Sequence, residues 1–477
     1  MKNKLLIFLL GLVFIKSLIW LVLTPIFQIP DEPSHFSIVQ FIAENGQRPH
    51  PRRQVATSKE VLNVAKIVNF NWQIIHPVWQ DYQLNWQEKI NKLSLEDKTI
   101  FLHNRYQTSL KRPPLYYFLA APFYLVFINQ SFLFRFFSVR FLSLIISLFI
   151  VYYSYQSAKL IFKSKYLSLA TATLVGFQPM LSFIGISAHY DPLAVLITSI
   201  FIYSSLIFIK TSQERYFKIS LLLAIVGLLI KPDLIVLFLA LALLISKKKL
   251  KFIIPFSLAG FIFLASFTKL FHQIISTPSQ QQYFDKFLYI INLNEYSSHA
   301  QFFVELLTSG KVLSSINNYL SANFTANLAQ IFPWYWGVFG WLESTLPLWV
   351  YRCLKILVLI SLTGWLKLFI SRSSTLKITS TVKKLLQFSF GFSLVHFAIV
   401  ILNDFIVFAR SGEIFGIQGR YFLPAIIPHM ILLSFGWYQL VNKKHHLILS
   451  KLIFVFALGF NLIALQTLYQ FFGWVWG

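Results

Sequence analysis

The chain has 477 residues, 56% of them hydrophobic and 12% charged, with a mean hydropathy of +0.63. Soluble domains carry about a quarter charged residues, so a soluble globular protein, a disordered chain and a coiled coil are excluded, and an all-α polytopic membrane protein remains. The 42 basic residues against 17 acidic ones give a net charge of +25. Nucleic-acid binders carry such charge on soluble surfaces, whereas here the position of each charge between apolar runs matters more than the sum. One cysteine, Cys353, allows neither an intrachain disulfide nor a cysteine-based metal site.

Residues 5–27 form an apolar run long enough to cross a hydrocarbon core of about 30 Å. Lys2 and Lys4 precede it and no small-x-small cleavage site follows, so an uncleaved first span with a cytoplasmic N-terminus is expected. The segment 28–112 holds eight of the 17 acids and reads as a first extracytoplasmic loop with structure of its own. Within it Val61, Leu62, Ala65 and Val68 recur at helical spacing after Thr57 and Ser58, which can cap. The stretch 113–130 opens on two prolines and contains Pro122. Counting it as a span would place Lys159, Lys163 and Lys165 outside, so an interfacial or re-entrant helix is expected there.

Further spans are expected at 138–160, 167–187, 192–210, 217–231, 232–246, 252–271, 346–371, 385–408, 421–441 and 452–473, eleven in all, with a second long extracytoplasmic loop over 272–345. The cytoplasmic turns then collect 15 of the 30 lysines, and 16 of the 17 acids fall on or near the outer face, Glu214 being the exception. Transporters place ionisable groups at mid-membrane, where cargo is handed across. Apart from Lys16 this chain has almost none well inside a span. Its polar chemistry gathers at one water–membrane boundary, which favours an outward-facing site over a translocation path.

Four constellations could carry that chemistry. Asp31-Glu32, between Pro30 and Pro33 and ahead of His35, follows the first span directly. Such a pair can act as general base or bind a divalent cation such as Mg or Mn; equally, Asp31 can cap a helix that starts at Pro33. His189-Tyr190-Asp191-Pro192 lies at the same membrane height, so that the two carboxylate clusters can converge on a cation or substrate; equally, Asp191 can cap a helix with Pro192 at its first position. Lys111-Arg112, Lys231 and Arg420 are basic residues on the outer face, suited to a lipid phosphate or to anionic headgroups. The aromatic run from Phe332 to Trp341 fits an interfacial belt, with stacking on a sugar as the sharper reading. No phosphate-binding Gly-rich loop, His-Glu-x-x-His helix or nucleophile elbow is present.

Taken together, Pro30-Asp31-Glu32-Pro33-Ser34-His35-Phe36, Arg112-Pro113-Pro114-Leu115-Tyr116-Tyr117, Phe339-Gly340-Trp341 and Gln418-Gly419-Arg420-Tyr421-Phe422-Leu423-Pro424 resemble an uncharacterised family of bacterial multi-pass proteins. That family is grouped with the GT-C glycosyltransferases, which include protein O-mannosyltransferases, aminoarabinose transferases and oligosaccharyltransferases. The resemblance implies a GT-C-like bundle in the cytoplasmic membrane and an extracytoplasmic active site. It also implies a polyprenyl-phosphate-linked sugar donor, transferred with inversion to a cell-envelope glycan, lipid or protein. It implies a base or metal ligand at Asp31 with Glu32 beside it, a further acid at Asp191, and donor-phosphate contacts at Lys111, Arg112 and Arg420. Lys231, in a Lys-Pro-Asp hairpin, resembles a lysine of the aminoarabinose transferases. His35, His189, Trp341 and Gln418 become candidate substrate contacts. The chain departs from oligosaccharyltransferases in having no Trp-Trp-Asp-type acceptor motif.

Two other classes compete. A polysaccharide or lipid flippase, or a polymerase component without transferase activity, needs polar residues through the bundle. A non-catalytic glycan-binding scaffold has no need of carboxylates at both Asp31 and Asp191.

Overall fold

The computed structural model describes residues 4–50, 54–72, 76–77, 82–244, 302, 305–306, 308, 310–322, 324–371, 376, 378–412 and 416–473. Among them the helices are α1 (Lys4–Leu23), α2 (Glu32–Asn45), α3 (Lys59–Ile67), α4 (Trp86–Asn91), α5 (Leu115–Val126), α6 (Phe132–Phe162), α7 (Lys165–Gly176), α8 (Pro179–Ile184) and α9 (Asp191–Thr211). They continue with α10 (Glu214–Leu228), α11 (Val236–Ala242), α12 (Val312–Ser321), α13 (Phe324–Trp336), α14 (Leu348–Ser371), α15 (Ser380–Ser411), α16 (Ile426–Leu440) and α17 (His446–Phe472). The strands among the described residues form three antiparallel two-stranded ribbons. They are β1 (Val55–Ser58) with β4 (Phe101–His103), β2 (Phe70–Asn71) with β3 (His76–Pro77), and β5 (Val338–Phe339) with β6 (Ser344–Thr345).

Seven helical stretches are long and apolar enough to cross a membrane: α1, α6, α9, Leu348–Leu368 of α14, α15, Gly419–Leu440 ending in α16, and Lys443–Phe472 ending in α17. Each coincides with an expected span. Three other expected spans differ. The run 167–187 is broken into α7 and α8, because Pro179 has no N–H to continue the ladder and Gln178 caps the new helix, its side chain accepting from Leu181 N. The runs 217–231 and 232–246 give α10, 15 residues long, and the apolar helix Pro232–Ala242. The span expected at 252–271 lies outside the described residues. α5 has 12 residues, about 18 Å of helix and short of a bilayer core.

α6 is the hub, packing against α1, α5, α7 and α9. At the α7–α8 break, carbonyls freed from the helical ladder would be costly in an apolar interior. Lys16 of α1 donates to Gly176 O at 3.0 Å and to Ser182 Oγ at 2.8 Å, and Asn461 of α17 donates to Phe177 O at 2.9 Å. Lys16, the ionisable residue that the sequence places deep in a span, therefore serves the break between α7 and α8. Elsewhere α14 and α16 meet backbone to backbone: a Cβ on Gly364 would stand 1.9 Å from Gly436 O.

The first loop is moored to α6 by two arginines, Arg140 inside the expected span 138–160 and Arg135 ahead of it. α6 begins at Phe132, which puts Arg135 and Arg140 on it. Arg135, with no exposed side-chain surface, pairs with Glu60 of α3 (Nη2–Oε1 2.5 Å, Nη1–Oε2 3.0 Å). Arg140, equally buried, pairs with Glu32 of α2 (Nη2–Oε2 2.7 Å, Nε–Oε1 2.8 Å). α3 starts where its sequence marks a cap, Ser58 Oγ accepting from Val61 N at 3.1 Å.

Candidate active site at the start of α2

Pro30 ends the chain's descent from α1, and Asp31 turns it into α2 with φ +66°. Aspartate tolerates this left-handed conformation better than most residues. Its side chain makes no capping bond. The carboxylate instead turns outward, one-third exposed, and Oδ2 accepts from Arg420 Nη2 at 2.9 Å. Arg420 sits in the 3-10 turn Gly419–Ala425 that leads into α16, itself 6% exposed. That turn lies close against α13: a Cβ on Gly419 would stand 2.0 Å from Tyr335 N. Only glycine fits there, so Gly419 fixes where Arg420 emerges.

Glu32, one residue on, has a different environment. Both its oxygens are taken by Arg140, and Oε1 also accepts from Ala188 N at 2.9 Å. Arg140 in turn donates to Thr24 O at 2.6 Å and Pro25 O at 2.9 Å. Glu32 thus ties the end of α1, α2, α6 and the loop 185–190 together. Ser143 and Ser147 of α6 hold the same loop, donating to Ser187 O at 2.5 Å and Gly185 O at 2.9 Å.

That loop carries His189 and Asp191 to α2. Tyr190, not Asp191, is the cap residue of α9, and the Asp191 carboxylate accepts from Lys231 Nζ at 3.1 Å. Asp233 lies 3.4 Å from the same ammonium, whose side chain is 9% exposed. Burial, the largest influence, pulls the Lys231 ammonium down, but Asp191 and Asp233 with Tyr190 and Tyr421 more than reverse it, so the lysine stays charged. His189 Nδ1 accepts from Asp191 N at 3.0 Å, which makes it an unprotonated nitrogen. His35 meets Tyr117 Oη at 2.8 Å through Nδ1, and its ring stands edge-on to His189 with centroids 3.9 Å apart. Burial pushes both imidazoles well below their ordinary pKa, helped at His35 by the Arg112 and Arg420 charges and at His189 by those of Arg420, Lys231 and Arg112. Burial raises the Tyr190 phenol to about 12.

The structure therefore brings Asp31, His35, Arg112, His189, Asp191, Lys231 and Arg420 into one electrostatic neighbourhood. Gln418 joins them: it borders a small cavity with Arg420, Pro30 and Trp334, about 10 Å³ in volume, room for about one water molecule. Two candidates stand elsewhere. Lys111 is exposed on the turn Ser109–Lys111, and Trp341 donates to Phe27 O at 2.9 Å, packing on Phe70 to join the second loop to the first. Sequence reasoning did not single out Tyr117, Tyr190, Tyr421 or Arg140. For Arg140 a signal existed: an arginine in an apolar run needs a buried partner.

The two carboxylates open to a cation are already matched to Arg420 and Lys231. Among the described residues no group of three or more His, Cys, Asp or Glu side chains could hold a metal ion. This donor set does not fit a resident divalent ion.

Residues 14–428 match the family model described as "Predicted membrane protein (DUF2142)", a stretch that includes every candidate residue. The chain belongs to the DUF2142 family. Among solved structures, this DUF2142 protein is similar to the apo oligosaccharyltransferase of Archaeoglobus fulgidus, at 12% identity and a TM-score of 0.43 over 98% of this chain. It spans only 55% of that enzyme's length. No curated protein matches.

Proposed function

We propose that this DUF2142 protein is an inverting glycosyltransferase that takes a sugar from a polyprenyl-phosphate donor at the extracytoplasmic membrane face. The observation that carries the reading is the contrast at Asp31: a carboxylate held in place by a buried arginine, yet one-third exposed, beside a buried cluster of cations. A general base must be fixed and must keep a free lone pair. Asp31 Oδ1 meets both needs, because the Arg420 contact is to Oδ2.

In this mechanism Asp31 accepts the proton of the acceptor as its nucleophilic atom attacks the anomeric carbon from the face opposite the phosphate. The new bond forms as the C1–O bond to phosphate breaks, and the polyprenyl phosphate leaves with the electron pair. Arg112, partly buried beside the His35–His189 pair, supplies the charge that stabilises the departing phosphate. Lys231 holds Asp191 and the α10–α11 turn in place. Glu32 is the anchor of α2 and takes no part in proton transfer.

A lipid-linked donor must keep its tail in hydrocarbon. An apolar groove of about 670 Å³ runs between α5 and α6, lined by Phe123, Val126, Phe134 and Phe141 among others. α5 also carries Tyr117, at the site, so one short helix links the groove to the base.

The test is a transfer assay on the purified protein in nanodiscs with labelled polyprenyl-phosphate sugars, with and without EDTA. Turnover that survives EDTA and disappears in Asp31→Asn is expected. Normal turnover in a folded Asp31→Asn protein would overturn the assignment.

A further inference from the structure

Arg420 is 6% exposed, and two of its nitrogens, Nε and Nη1, are buried without a hydrogen-bond partner among the described residues. The Gln418 side-chain oxygen is in the same position. Both residues border the same one-water cavity, with Trp334 and Phe183 among its walls. Unpaired buried polar atoms each cost about 1–3 kcal/mol, and buried arginine nitrogens are rarely left so. Nitrogens that can only donate and an oxygen that can only accept, orphaned on two residues that border one cavity, fit a group that both accepts and donates.

The guanidinium is a planar fork in which neighbouring N–H bonds run parallel. Nη2 is engaged with Asp31. Whichever edge of the fork Asp31 occupies, the parallel N–H on that edge belongs to Nε or Nη1, and both are orphaned. An oxygen seated on it lies beside the Asp31 carboxylate at hydrogen-bond range. Such an oxygen must give its own hydrogen to a carboxylate on one side or to Gln418 Oε1 on the other. Water and an alcohol can do this. A phosphodiester oxygen cannot, since it has no hydrogen and would face the lone pairs of both acceptors.

We propose that Arg420 and Gln418 form a hydroxyl-oxygen site beside Asp31, filled by water at rest and by the nucleophilic hydroxyl of an alcohol acceptor during transfer. This rests on the glycosyltransferase reading for its acceptor half only. It moves Arg420 from the donor phosphate to the acceptor. The alcohol oxygen sits on the free guanidinium N–H, its hydrogen passes to Asp31, its lone pair forms the bond to C1, and the C1–O bond to polyprenyl phosphate breaks. The acceptor class is thereby an alcohol.

Two measurements test the two halves separately. A high-resolution electron cryo-microscopy map of the full chain in lipid nanodiscs should show a single-oxygen peak about 3 Å from Arg420 Nε or Nη1 and from the Gln418 side chain. The peak should weaken in Gln418→Met, which keeps the volume and removes the acceptor. Absence of the peak, or a larger tetrahedral feature that persists in Gln418→Met, would overturn the oxygen site whatever the protein's activity. In transfer assays Gln418→Met should raise the acceptor KM about tenfold and leave the donor KM unchanged. A raised donor KM with an unchanged acceptor KM would return Arg420 and Gln418 to the phosphate. If wild-type protein turns over no lipid-linked sugar, the glycosyltransferase reading and the acceptor half fall together, and the map alone decides the water site.

Discussion

Asp31 and Glu32 are adjacent carboxylates that each meet one arginine. Arg140 grips Glu32 at both oxygens with no exposed surface on either side chain, whereas Arg420 holds Asp31 by one oxygen and leaves a third of its side chain open. The Glu32 pair is closed on itself: its lone pairs are consumed by Arg140 and Ala188, and burial makes it costly to disturb. The Asp31 pair is half open, with an oxygen on one side and orphaned guanidinium N–H groups on the other. Saturation marks an anchor, and residual valence at a fixed position marks a place where chemistry can occur.

Breaking the closed pair should have the largest effect. Glu32→Ala leaves Arg140 charged and buried, and a loss of about 3–5 kcal/mol is expected, read as failure to yield monodisperse protein in detergent. If Glu32→Ala melts within a degree or two of wild type, the anchor assignment is wrong. Asp31→Asn should do the reverse. Its melting temperature should hold, since the asparagine oxygen can still accept from Arg420 Nη2 and the side chain is one-third exposed, while turnover falls by roughly 10²–10⁴-fold. Lys231→Met falls between the two, because Asp191 and Asp233 lose a shared cation; a destabilisation of about 1.5–3 kcal/mol should appear in thermal melts.

The histidine pair gives a smaller and pH-dependent effect. His35 and His189 have folded pKa values pushed below the ordinary one, so the unfolded chain takes up protons first on acidification. Their stabilising contribution is complete above the usual imidazole pKa of about 6.5 and is lost progressively as pH falls below it. Melting curves from pH 8 to pH 5 should show this decline, and His189→Gln should flatten it. A decline that survives substitution of both histidines would assign it to other groups. The smallest effect is expected from Val126→Trp at the groove between α5 and α6: a few-fold rise in donor KM with kcat unchanged, about 1 kcal/mol or less of binding.

Much of the architecture was legible because hydrophobic runs of bilayer length have few alternative fates. The seven long spans follow from apolar length alone. Ser58 announced α3, and Pro179 could have announced the break that divides 167–187. Charge sign along the chain does not say which charges meet. Of the site, the sequence supplied the residue types and their placement at chain positions flanking spans, so Asp31, Asp191, Arg112, Lys231 and Arg420 could be named together.

What it could not supply is pairing. Asp31 and Arg420 are 389 residues apart, Glu32 and Arg140 are 108, and Asp191 and Lys231 are 40. Side chains so distant along the chain are matched by helix packing, which depends on the shapes of many apolar contacts at once and leaves no local periodic signal. The sequence by itself determined a helical membrane protein with eight of its 17 acids gathered in one polar segment, 28–112, between apolar runs. The tertiary structure decided which of two neighbouring acids is an anchor and which remains available, because desolvation and saturation are properties of the assembled surroundings and not of the residue.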